Sequence, residues 1–153
     1  MYQYTYQGPA STPAYSANYA VGASVDYVTD DFSIGIWVGD GGDEDSYEYL
    51  FAYTGIEGVT AKYIYADDPG YETDNFWVSY ETGDLTLAYE TTETDESLID
   101  MEMYLAYLAM GDAGLTVRYS EGTYLGADYE KTTFSPGYAF SDAVFGLVEF
   151  SDI

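Results

Sequence analysis

Side-chain character alternates with a period of two along most of this chain. In Tyr47-Glu48-Tyr49-Leu50-Phe51-Ala52-Tyr53 and Leu85-Thr86-Leu87-Ala88-Tyr89-Glu90, bulky residues take turns with small or polar ones. A helix would repeat every three to four residues; a period of two puts alternate side chains on opposite faces of a strand. Tyrosine dominates the bulky set, at 20 of 153 residues. A sheet built this way has one greasy face and one wet face. The greasy face must either pack against a second layer or meet a solvent other than water.

The pattern predicts five hairpins. The first pairs Tyr19–Val28 with Phe32–Gly39 across Thr29-Asp30-Asp31, and the second pairs Tyr47–Thr54 with Val59–Ala66 across Gly55-Ile56-Glu57-Gly58. The third joins Asn75–Glu81 to Leu85–Glu90 through Thr82-Gly83-Asp84, and the fourth joins Met101–Ala109 to Leu115–Ser120 through Met110-Gly111-Asp112-Ala113-Gly114. The last runs over Leu125–Ser135, turns near Phe140-Ser141-Asp142 and returns through Ala143–Ser151. Gly, Asp and Ser at these turns supply the positive φ values and local hydrogen bonds that hairpins need. The turns recur at roughly 26 to 29 residues, without a repeated side-chain signature. Longer acidic connections separate the hairpins: Asp40–Ser46, Asp67–Asp74 and Thr91–Asp100. Short turns on one rim and long loops on the other are the asymmetry of a transmembrane β-barrel. The expected fold is all-β: one domain over residues 1–153, an antiparallel up-and-down meander of about 10–11 strands of that barrel type. If the short turns mark the inner rim of the membrane, strand parity makes the chain an internal piece of a larger barrel. Residues 1–7 then end a preceding strand, and 8–18 form a loop.

The faces follow from the alternation. Val25 and Tyr27 oppose Ser24 and Asp26; Ile34 and Ile36 oppose Ser33 and Gly35; Phe76, Val78 and Tyr80 oppose Asn75, Ser79 and Glu81. Aromatic residues gather near strand ends, where a phenol can wet its hydroxyl at lipid headgroups. The charges within strands, Glu48, Lys62, Glu81, Glu90, Glu102 and Arg118, are assigned to the polar face and so to the lining of a pore. Trp37 and Trp77 fall on that polar face too, against the pattern.

Composition narrows the function. With 28 acids against 3 bases the formal charge is −25, and Lys62, Arg118 and Lys131 are the only bases. Phosphate neutralisation is beyond such a chain, so nucleic acid is not a partner. Cations are, and a pore would prefer them. There is no Cys and no His, hence no disulfide, no thiolate or imidazole metal site and no imidazole base. Neither Lys has a Ser at a telling spacing, and no particular acid pair stands out, so the chain is read as no enzyme. The N-terminal residues carry no basic segment followed by an apolar core. Asp40, Asp43, Glu44 and Asp45 flank two glycines and supply the carboxylate oxygens that hard cations take, but without EF-hand spacing. A solvated loop is the plainer reading; weak Ca²⁺ or Mg²⁺ binding there, bridging to lipopolysaccharide or a neighbouring chain, is the sharper one. No other cofactor is expected.

Four segments carry a family likeness: Asp31–Trp37, Gly83–Glu90, Gly114–Ser120 and Phe134–Asp142. Through them the chain resembles the large, acidic, Tyr-rich outer-membrane porins of Gram-negative bacteria, over nearly all its length and as a pattern of hairpins. The resemblance implies residence in the outer membrane among lipid and lipopolysaccharide. It also implies passive diffusion of small hydrophilic solutes through a monomeric or oligomeric barrel. The alternative from a different class is structural. A sheet with two open edges pairs copy to copy into a fibre or an extracellular adhesive surface, with the acidic loops binding divalent cations.

Overall fold

The computed structural model describes residues 21–40, 45–95 and 99–152. The expected strand over residues 1–7, the loop over 8–18 and the start of the first hairpin at Tyr19 lie outside them, as do Asp43 and Glu44 of the acidic loop. Among the described residues there is no α-helix, and eleven strands form one sheet. In chain order these are β1 (Gly22–Val28), β2 (Phe32–Asp40), β3 (Asp45–Ile56), β4 (Val59–Asp68), β5 (Tyr71–Thr82) and β6 (Leu85–Thr94). They continue with β7 (Ile99–Met110), β8 (Ala113–Tyr124), β9 (Ala127–Ser141), β10 (Val144–Leu147) and β11 (Phe150–Asp152). Each of β1 to β9 pairs antiparallel with the next, and β11 also pairs with β9, beyond the end of β10. The fold is therefore an all-β, antiparallel, up-and-down meander. Among the described residues its hydrogen-bonded path runs from β1 to β10, with no ladder joining those two strands.

The strands are longer than the alternation alone marks out. The expected long connection Asp67–Asp74 is not a loop: Asp67 pairs with Glu72 and Asp68 with Tyr71, leaving Pro69-Gly70 as a two-residue turn. Gly70 takes φ +97 after a proline, as a type II turn requires. Likewise Thr91, Thr92 and Glu93 stay in the ladder against Glu102, Met101 and Asp100. Acids and threonines that read as loop chemistry keep the period of two, so the backbone ladder continues through them. The expected asymmetry of short and long rims disappears at that connection, and loop length no longer orients the sheet.

Local irregularities have local causes. The turn between β8 and β9 is Leu125-Gly126, with φ +51 and +78, so Leu125 is the first residue of a turn rather than of a strand. Both central residues are left-handed, a type I′ turn that favours Asn-Gly, and a leucine pays for it sterically. Leu125→Asn should therefore raise stability by about 1 kcal/mol, read as a shift in the urea midpoint with an unchanged slope. In the last hairpin the turn is Asp142-Ala143, and Phe140 is an extra residue in β9 opposite the Val144/Phe145 step, a β-bulge. The expected return strand Ala143–Ser151 is split into β10 and β11 opposite Pro136. Val148 donates to the Pro136 carbonyl at 3.1 Å, but proline has no N–H to return the bond.

Burial separates the two faces. In β3 the sequence Ser46, Glu48, Ala52 is buried while Tyr49 and Phe51 are exposed; in β6 Ala88, Glu90, Thr92 and Thr94 are buried and Leu87 is exposed. The same holds for Thr73, Asn75 and Ser79 in β5 and for Thr133 and Ser135 in β9. The buried face is the polar one. We call it inner and the exposed apolar face outer. No second layer lies among the described strands, and a single sheet protects one face by curling around it.

Candidate functional site

The outer face is ordered in tiers along the strands. From the hairpin turns at Glu57-Gly58, Gly83-Asp84 and Gly111-Asp112 toward the opposite rim, β4, β6, β7 and β8 read apolar, then tyrosine, then acid, whereas β5 reads Tyr80, Val78, Phe76, Asp74. In β4 the order is Ala61, Tyr63, Tyr65, Asp67; in β6 it is Leu87, Tyr89, Thr91, Glu93; in β8 it is Val117, Tyr119, Glu121. β7 reads Leu108, Ala106, Tyr104, Glu102, Asp100. Register aligns these tiers across the sheet: Tyr49 faces Tyr65, Tyr89 faces Tyr104 and Tyr104 faces Tyr119. Ring centroids lie 6.0 Å apart for Tyr49 and Tyr65 and 5.2 Å apart for Tyr89 and Tyr104, within the range for favourable tilted pairs. The phenols donate to the acid tier. Tyr104 Oη donates to Glu102 Oε2 at 2.6 Å, Tyr119 Oη to Glu121 Oε2 at 3.1 Å, and Tyr63 Oη to Asp74 Oδ1. From Met110 to Tyr104 is six residue steps, about 20 Å of strand at about 3.3 Å each, on the short side of the roughly 25 Å apolar band of membrane barrels. Aromatic residues recur toward the other rim on the β1 to β3 side, where Tyr27 packs on Phe32 with centroids 6.0 Å apart and Phe32 is registered with Tyr53.

Five of the six strand charges expected on the polar face are there. Glu48 and Glu90 are buried on it; Lys62, between Ala52 and Trp77 in register, and Glu81 lie toward the turns and are exposed; Arg118 is half-buried between Leu105 and Thr133. Glu102 is not. It stands between Thr91 and Glu121 on the outer face, in the acid tier, where it accepts from Tyr104. The alternation around it, Met101-Glu102-Met103-Tyr104, offers two readings, because methionine fits either face. Burial decides: Met101 and Met103 are almost fully buried.

Lys131, registered with Ser120, joins Lys62 and Arg118, so every base of the chain is on the inner face. Opposing them there are Asp26, Glu48, Asp68, Glu81, Glu90 and Glu149, the last within 3.5 Å of Ser135 Oγ. The two tryptophans also stay inside, and for Trp37 the reason is room. Trp37 lies over Gly22 and Gly39, where a Cβ on Gly39 would come within 2.0 Å of the indole.

Among the acids proposed for a loop metal site, Asp40 and Asp45 are register partners at the ends of β2 and β3. No group of three or more acidic side chains suited to a metal occurs among the described residues. Sequence reasoning missed the buried polar patch of Thr73, Asn75, Glu90, Thr92 and Thr94 on β5 and β6. The alternation marks these positions as polar; only curvature makes them dry. A scan against protein-family models matched none, and a search of curated proteins found no match.

Proposed function

We propose that this sheet is the wall of an outer-membrane β-barrel of porin type, with its outer face against lipid and its inner face along a polar path for small cations and uncharged solutes. The observation that supports the reading is the inversion of burial. Ile34, Ile36, Phe51, Leu87, Val117 and Phe134 are exposed, while Glu48, Asn75 and Glu90 are buried. A water-soluble sheet hides its apolar face; only a hydrocarbon solvent rewards this arrangement. The tyrosine tier between apolar residues and acids fits the headgroup level, where an aromatic ring sits in the interface and its hydroxyl in water. The excess of acids over bases on the inner face favours cations.

Absence of cysteine makes the test simple, since every introduced thiol is unique. Val117→Cys and Leu87→Cys carry a nitroxide on the outer face; Thr116→Cys and Ala88→Cys carry it on the inner. In lipid vesicles the outer labels should be accessible to dissolved oxygen and shielded from a water-soluble nickel chelate. Equal accessibility of both pairs, or a protein that stays monomeric in plain buffer, would sink the membrane reading. Planar-bilayer recording then tests the path: stepwise conductance with a reversal potential favouring K⁺ over Cl⁻ is expected.

A second reading rests on one observation. β1 is exposed along its whole length, and β10 and β11 are exposed on both faces apart from the half-buried Gly146, so among the described residues two edges carry backbone groups that no neighbouring strand pairs. Copies joined edge to edge would form an extracellular fibre. Filaments sedimenting without lipid or detergent would favour it over the barrel.

A further inference from the structure

We propose that a cavity on the inner face, where β7 to β10 approach their turns, is a binding site for a small aromatic ammonium ion, its ring against Tyr107, Phe145 and Leu147 and its charge toward Asp112. The inference rests on the inner face alone and holds whichever solvent lies outside.

Register places the walls. Tyr107 pairs with Thr116 and Thr116 with Ser135, so all three share the inner face. One inner step nearer the turns, Gly114 pairs with Gly137 and Gly137 with Leu147; a step beyond, Ala139 pairs with Phe145. The cavity among these residues measures about 290 Å³, and Asp112 of the turn between β7 and β8 lines it too. Glycine makes the room. A Cβ on Gly114 would come within 2.8 Å of both Cε2 and the hydroxyl oxygen of Tyr107, so the phenol end of that side chain leans across β8 above the glycine. Leaning over lays the ring along the sheet, with one face open to the inner space.

Apolar side chains deeper on the inner face, such as Ile64, Met101 and Met103, are almost fully buried. Here Tyr107, Leu147 and Phe145 are 38 %, 58 % and 79 % exposed. An apolar concavity with a few polar groups is the usual form of a small-molecule site, and this volume, at the small end of the range, suits one ring with a short tail. An aromatic ring can meet Tyr107 and Phe145 in offset or edge-to-face contact. Charge decides the tail. Asp112 is a carboxylate, no base is among the described residues that line the cavity, and the chain carries −25. Arg118 is the next inner position of β8 past Thr116, and at that end Ser135 Oγ donates at 3.5 Å to a second carboxylate, Glu149 Oε2. An ammonium over an aromatic face gains further attraction. A bare divalent metal would want about six oxygens and finds one carboxylate among apolar walls.

Three probes share a phenyl ring and a two-carbon tail: phenethylamine, 2-phenylethanol and 3-phenylpropionate. Their binding to the full chain in detergent micelles is measured by calorimetry at constant ionic strength, with empty micelles subtracted. Phenethylamine should bind saturably and about threefold more tightly than 2-phenylethanol, the gain expected of a partly exposed ion pair. The carboxylate probe should not bind. Asp112→Asn should erase the preference for the amine, while Asp84→Asn, on the neighbouring turn and outside the cavity, should leave it. Tyr107→Leu keeps apolar bulk but removes the ring, and should weaken phenethylamine about fivefold. Phe145→Ala, at a far more exposed position, should act in the same direction and keeps the test open if the Tyr107 variant does not fold. Absence of saturable phenethylamine binding overturns the proposal. So does either other probe binding as tightly as the amine, an equal effect of the two aspartate changes, or unchanged binding in a folded ring variant. Binding is read without a bilayer or a current, so a failure here is distinct from a failure of the porin reading.

Discussion

If the outer face meets lipid as proposed, Leu87→Arg and Val117→Arg should each destabilise the protein in lipid vesicles by about 2–4 kcal/mol, the cost of a cation on the lipid side of a barrel near the bilayer midplane. Leu87 and Val117 are 44 % and 40 % exposed, joined in register through Ala106 in the apolar tier. Were this face in water, the same changes would be surface substitutions, worth about 0.5 kcal/mol or less in either direction. The two solvents therefore predict outcomes several-fold apart from one measurement, a urea titration in lipid vesicles followed by tyrosine fluorescence. Thr116→Arg is the control: it puts the same charge on the inner face, beside Leu115 and Val117 in sequence. An arginine tolerated at 87 and 117 as well as at 116 would remove the hydrocarbon from the account.

The second large effect concerns the backbone. Gly122→Ala should destabilise the sheet by about 3 kcal/mol, combining a strained φ with a steric clash. Gly122 lies in β8 opposite Met101 with φ +141, a conformation that L side chains rarely adopt. A Cβ there would come within 2.0 Å of the Asp100 carbonyl oxygen and 2.9 Å of the Met101 Cα. Both contacts are backbone of the neighbouring strand, which cannot rotate away. Relief requires parting β7 from β8 beside Met101, one of the most deeply buried side chains. A lower denaturation midpoint, with amides of β7 near Asp100 exchanging faster, is the expected result. Gly83→Ala is the comparison: it has a positive φ as well but nothing within 4 Å, so only the conformational cost remains.

These two residues mark the limit of what the sequence states. Val117 alternates with Thr116 and Arg118, so its face is legible from the chain alone. Gly122 sits in Ser120-Glu121-Gly122-Thr123 and carries no signal that separates it from a turn glycine. Its importance comes from the approach of another strand. Glu102 makes the same point for charge. Flanked by Met101 and Met103, it looks like one more polar-face acid, and it became an outer-face partner of Tyr104 because the methionines took the interior. The connection Asp67–Asp74 differs for a related reason: acid content suggests solvent, yet a hydrogen-bond ladder is indifferent to side-chain charge, whether the side chain points outward, as at Asp67, Glu72 and Asp74, or inward, as at Asp68.

The strand periodicity, the pairing of successive strands, most turn positions and the division into a greasy and a wet face were determined by the sequence itself, because a period of two and glycine-bearing turns are local properties of the chain. Which face is dry was decided only by the tertiary structure. Burial of Glu90 and exposure of Leu87 depend on how the whole sheet bends, a sum over strands that no single segment encodes. The same bend turned Thr73, Asn75 and Glu90 from ordinary polar residues into a desolvated cluster, since desolvation comes from what surrounds a side chain and not from its place in the alternation.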